Sequence, residues 1–72
     1  MKNYKNPEDY KIGQIVYYVP TFYLKDNNLD VSEKSVVVKT DHKYVYIKFF
    51  YKNSEDVNPV VRIVHPQNLF VK

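Results

Sequence analysis

Apolar and polar residues alternate in short runs along this 72-residue chain, and turn-forming residues separate the runs. Residues 11–19 (KIGQIVYYV) read as a first strand, approached through the one glycine, Gly13, whose missing Cβ permits a tight turn or a bulge. Pro20 ends or bends that strand. Residues 21–24 continue it briefly. Residues 25–33 (KDNNLDVSE) form a polar loop rich in Asp and Asn, with Leu29 and Val31 to pin it to the body. Residues 35–40, the turn Asp41-His42-Lys43 and residues 44–51 give the strongest local signal, a β-hairpin. Side chains alternate along its second arm, so Val45, Ile47, Phe49 and Tyr51 share a core-facing side, and Tyr44, Tyr46, Lys48 and Phe50 the opposite one. Residues 53–59 are a further loop. Residues 60–64 make another strand, with Arg62 on the same side as Val60 and Val64, and His65-Pro66 breaks it. Residues 67–70 leave room for a single helical turn before a last piece of strand.

This order predicts an all-β fold: a small barrel of four to five antiparallel strands with a short C-terminal helical turn. Residues 1–10, polar and interrupted by Pro7, read as an extended lead-in, and residues 11–72 as one domain. Composition agrees, because twelve valines, eight tyrosines and four phenylalanines favour strands, while alanine, the best helix former, is absent. A chain this short buries only about 60% of its unfolded surface, so it supports one thin core. Without cysteine, that core is held by large apolar side chains alone. Scarce Ala, Gly and Arg beside abundant Lys, Asn and Tyr match an AT-rich coding sequence.

The opening Ile12-Gly13-Gln14-Ile15-Val16-Tyr17-Tyr18, the 36–51 hairpin and the closing Arg62-Ile63-Val64-His65-Pro66-Gln67-Asn68-Leu69-Phe70 together resemble an SH3-like small β-barrel. They are similar to small uncharacterised barrel proteins of low-GC bacteria and their phages. The resemblance implies that Val16 and Tyr18 point inward, with Ile15, Tyr17 and Val19 nearer the outside or in a second layer. It departs from peptide-binding SH3 domains in lacking tryptophan and in the length of residues 20–34, which do not carry the acidic-aromatic character of those domains.

Net charge is +3, and residues 36–52 carry all of the excess through Lys39, Lys43, Lys48 and Lys52 against Asp41. A basic, aromatic hairpin attracts phosphates. Lysines on a strand edge also block aggregation between sheets. Both readings stand on sequence alone. So does a third, in which both faces of residues 44–50 are buried.

Catalytic chemistry is not evident. There is no cysteine, the three serines lie in or beside loops, and His42 and His65 read as a turn residue and a residue preceding proline. Asp26-Asn27-Asn28-Leu29-Asp30 superficially resembles a calcium loop but lacks its glycine and terminal Glu, so no metal or other cofactor is expected. The polar N-terminus has no signal-peptide core, and no apolar run approaches the roughly 18 residues of a membrane span. A soluble, cytoplasmic protein with no membrane partner is therefore expected.

What remains is surface: Tyr17, Lys39, Lys43, Tyr44, Tyr46, Lys48, Phe50 and Arg62 as partner-binding residues. The functional expectation is a non-enzymatic binding protein, an accessory factor of a phage or mobile element that inhibits or redirects a host protein such as a defence component. Two alternatives stand beside it. One is nucleic-acid binding through the same lysines and rings; the other is sequestration of a small nucleotide in an oligomeric interface.

Overall fold

A computed structural model describes residues 2–26 and 30–72, so the Asp26–Asp30 oxygen run and the pinning role expected of Leu29 fall largely outside the described residues. Within the described residues the strands are β1 (Ile15–Tyr18), β2 (Glu33–Thr40), β3 (Val45–Phe49), β4 (Arg62–Val64) and β5 (Leu69–Phe70). One helical turn, α1 (Thr21–Lys25), follows β1, and 3₁₀ turns occupy Pro7–Asp9 and Pro66–Asn68. The strands form a single antiparallel sheet in the order β4-β3-β2-β1-β5.

The sheet is open, with β4 and β5 as its edges. It is nevertheless strongly coiled, for a reason of chain length. Laid flat, five strands would hold β4 and β5 about 19 Å apart, four spacings of roughly 4.8 Å. The link from Val64 to Leu69 runs through the Pro66–Asn68 3₁₀ turn, and such a link reaches only about 13 Å at ~2 Å per 3₁₀ residue. The sheet therefore curls, and its concave side becomes the core.

That core is Tyr10, Val16, Val37, Val45, Ile47, Leu69 and Val71, with Tyr4, Tyr18, Phe49 and Val64 packed against it. Val45 and Ile47 are fully buried, as period-2 alternation along β3 requires. Val19, placed outside or in a second layer by sequence, is also fully buried. The cause is Asn68, whose backbone oxygen accepts from Val19 N at 2.8 Å and whose side-chain Nδ2 donates to Val19 O at 2.8 Å.

Residues 2–10 pack against this body. Lys2 and Val71 form an antiparallel bridge through two 2.7 Å hydrogen bonds. The Tyr10 hydroxyl donates to Leu69 O at 2.9 Å, and Asn3 Nδ2 donates to Pro66 O at 2.9 Å and Leu69 O at 2.6 Å.

Strands stop where local chemistry stops them. Residues 11–14 are a turn rather than strand: Gln14 N donates to Lys11 O, Lys11 N donates to Gln14 Oε1, and Gly13 takes φ +88°. At the hairpin tip Asp41 Oδ1 accepts from Lys43 N at 2.8 Å and Tyr44 N at 2.6 Å, and this Asx-type turn shortens the second arm to Val45–Phe49. Pro59 has no N–H, and Val60 N is taken by Asn58 Oδ1 at 2.9 Å, so β4 begins only at Arg62.

Candidate functional site

The convex face of the sheet, opposite the core, is where most of the candidate residues meet. Cross-strand partners share a face, so the register assigns its members. One row crosses the sheet as Phe70, Tyr17 and Lys34, joined to Phe50 by the Phe50 N to Lys34 O bond. A second row is Ile15, Val36 and Lys48, and a third is Lys39, Tyr46 and Ile63.

Lys39 reaches this face because of a defect. Strict alternation from Ser35, which is fully buried, would turn Lys39 inward with Val37. The register shifts between Val37 and Lys39, so Val38 is an extra residue and Lys39 pairs with Tyr46. This bulge flips the parity and spares the core a buried ammonium.

Three of the four rings on this face, those of Tyr17, Tyr46 and Phe50, lie beside a cation. Lys34 Nζ sits 4.8 Å from the Phe50 centroid, Lys39 Nζ 5.1 Å from that of Tyr46, and Lys72 Nζ 4.6 Å from that of Tyr17. These contacts lay lysine stems across half-buried rings and leave the ammonium groups at the surface. No ladder position on the face holds a carboxylate. Asp41 touches its end, where Oδ2 accepts from the Tyr46 hydroxyl at 2.9 Å. The backbone N–H groups of Tyr44 and Lys43, with that hydroxyl, hold the Asp41 pKa at about 2, and the Tyr46 hydroxyl is pushed up in return.

Of the residues singled out by sequence, Tyr17, Lys39, Tyr46, Lys48 and Phe50 come together here. Lys43 and Tyr44 stand at the hairpin tip, where the Tyr44 ring packs on His65 at 5.1 Å and Lys43 Nζ lies 5.3 Å from the Tyr44 centroid. Arg62 is not on the convex face. It pairs with Ile47, which puts it on the core side at the sheet edge, with its guanidinium 5.8 Å from the Phe49 centroid. Lys34, Phe70 and Lys72 belong to the face and escape a local reading, since their only signal is the register of β1 with β2 and β5.

Among the described residues no three His, Cys, Asp or Glu side chains converge as metal ligands, and no helix is long and apolar enough to cross a membrane. The arrangement can attract and hold an anion, and its rings can stack. No family model, curated protein or solved structure matches this chain.

Proposed function

We propose that this protein binds single-stranded nucleic acid across the convex face of its sheet. One observation carries the reading: Lys34, Lys39, Lys48 and Lys72 interleave with Tyr17, Tyr46, Phe50 and Phe70, and no ladder position there bears a carboxylate. Lysines neutralise phosphates without reading sequence, and aromatic faces stack on any base, so affinity is broad and falls with salt. The sheet is read as an SH3-like half-barrel; its support is the strand order with a 3₁₀ turn before β5. Anisotropy of a labelled 12-nucleotide strand between 50 and 200 mM salt tests the reading. Each neutralised phosphate contributes about −0.7 to the slope of log K against log salt, so three or four contacts give roughly −2 to −3. Lys34→Glu with Lys48→Glu weakens binding and flattens that slope by about 1.4. Salt-independent binding, or a double variant that binds like the parent, refutes the reading.

A second reading rests on a different feature. At the unpaired β4 edge, Val60, Val61 and Ile63 are 53%, 46% and 60% exposed. An extended segment of a protein partner would add to that edge as a further strand. Under this reading the chain is an accessory factor of a phage or mobile element acting on a host protein. Val61→Lys with Ile63→Lys then abolishes capture of that partner. Capture that survives both lysines excludes the edge.

A further inference from the structure

The open end of the coiled sheet, beside the hairpin tip, holds a second cationic feature. A groove there runs between the N-terminal segment, the tip and the turn after β4. Every ionisable side chain lining it is basic: Lys5, His42, Lys43 and His65. They are the chain's two histidines and two of its lysines, drawn from three separate stretches of sequence.

The walls are fixed before any ligand arrives. Pro7 and Pro66 line the groove and are buried. Asn3 spends its amide on Pro66 O and Leu69 O, and the Tyr10 hydroxyl reaches the same two carbonyls at 3.3 and 2.9 Å. Asp41 pins the backbone of Lys43 and Tyr44, and the Tyr44 ring collects Lys43 on one contact and His65 on another. Asp41 is the carboxylate next in sequence to His42, and its oxygens are turned to Lys43 N, Tyr44 N and the Tyr46 hydroxyl. Glu8 and Asp9 do not line the groove. Among the described residues no side-chain hydrogen bond engages Lys5, His42, Lys43, His65 or the Gln67 amide that lies with them.

Clustered basic side chains that donate no hydrogen bond among the described residues suit a compact anion of high charge. We infer that this groove receives a phosphomonoester group, the terminal phosphate of a bound strand. A phosphomonoester carries up to two charges, against one for each internal phosphodiester, so clustered cations at one point favour an end over a backbone. The third row of the convex face, Lys39 with Tyr46, lies next to the tip, and the Tyr46–Asp41 bond links the two. The carrier of the phosphate rests on the nucleic-acid reading above; the receptor itself does not.

The experiment separates the two. Labelled 12-nucleotide strands bearing a 5′-phosphate, a 3′-phosphate or hydroxyl ends are compared by anisotropy. Histidine side-chain resonances are followed by NMR while inorganic phosphate, or adenosine monophosphate, is titrated in. One of the two terminal phosphates should tighten binding about tenfold over hydroxyl ends. Lys5→Ala with Lys43→Ala should erase that gain while hydroxyl-ended strands bind within twofold of the parent. Both histidines should shift in the parent on phosphate addition, and not in the double variant. Equal affinity of phosphorylated and hydroxyl-ended strands overturns the inference and leaves the face intact. A gain that persists in the double variant also overturns it. If hydroxyl-ended strands fail to bind but the nucleotide and inorganic phosphate still move both histidines, the receptor stands with a free nucleotide as its ligand, and the convex-face reading falls.

Discussion

Asn68 offers the sharpest test of how the fold is held, because one buried amide joins three segments. It is 3% exposed. Its Nδ2 donates to Val19 O at 2.8 Å and to Thr21 Oγ1 at 3.1 Å, tying the end of β1 and the start of α1 to the 3₁₀ turn before β5. Alanine removes both bonds. Thr21 is exposed, so its hydroxyl exchanges the amide for water at little cost. Val19 is fully buried, and its carbonyl loses this partner where water does not replace it. A net hydrogen bond contributes ~0.5–1.5 kcal/mol, and a stranded buried acceptor costs ~1–3 kcal/mol, so Asn68→Ala destabilises by about 2 kcal/mol. At ~0.05–0.15 kcal/mol per residue a domain of this size has about 4–11 kcal/mol in all, so the loss is a large fraction. The midpoint of thermal unfolding should fall by about 8–16 °C, at ~4–8 °C per kcal/mol. Urea and thermal melts followed by circular dichroism measure it. Asn68→Asp keeps the shape but puts an acceptor against the Val19 carbonyl, so at neutral pH it should cost more than alanine. If alanine costs under ~0.5 kcal/mol, or aspartate melts with the parent, the amide does not hold these segments.

Three further predictions concern other parts of the chain. Gly13 has φ +88° and open space where a Cβ would stand, so Gly13→Ala should cost about 1–2 kcal/mol through backbone strain alone, and Gly13→Asn less, as read from urea midpoints. Tyr10→Phe deletes the hydroxyl that donates to Leu69 O and accepts from Tyr4 N; it should cost about 1 kcal/mol and speed amide exchange across residues 2–10 while leaving the β2–β3 amides protected. Asp41 has its pKa lowered from 3.8 to about 2 on folding, chiefly by the Tyr44 and Lys43 N–H groups. The stability it contributes is complete above pH ~4 and disappears as pH falls through about 2. Melts of the parent and of Asp41→Asn should therefore differ by a constant amount near neutrality and converge between those pH values; parallel curves down to pH 2 would count against the hairpin-tip geometry.

How much of this was readable in advance follows from the range of each interaction. Alternation along residues 44–50 identified Val45 and Ile47 as core and Tyr46, Lys48 and Phe50 as the opposite face, because the direction of a strand side chain is a local property. The turns at Asp41 and Gly13 and the one-turn helix near Asn68 were likewise written in residues whose side chains or missing Cβ act on their own backbone. Strand lengths were overread at residues 11–14, where Lys11 N and Gln14 N bond within a turn, and at 60–61, where Val60 N is taken by Asn58 Oδ1.

The sites were decided by tertiary structure. Lys34 lies between Tyr17 and Phe50, and Lys72 over Tyr17, only through the pairing of distant strands. The bulge at Val38 turns Lys39 outward against the parity of its own sequence, while the register with Ile47 carries Arg62 to the other side. Val19 is buried by an amide from the far end of the chain. Lys5, His42, Lys43 and His65 have no pattern in common until the sheet coils and brings three loops to one end. From the sequence alone come β structure, the turns and which residues share a strand face. Which faces meet, and hence where charge collects, depends on hydrogen bonds between residues far apart along the chain, and no local periodicity encodes them.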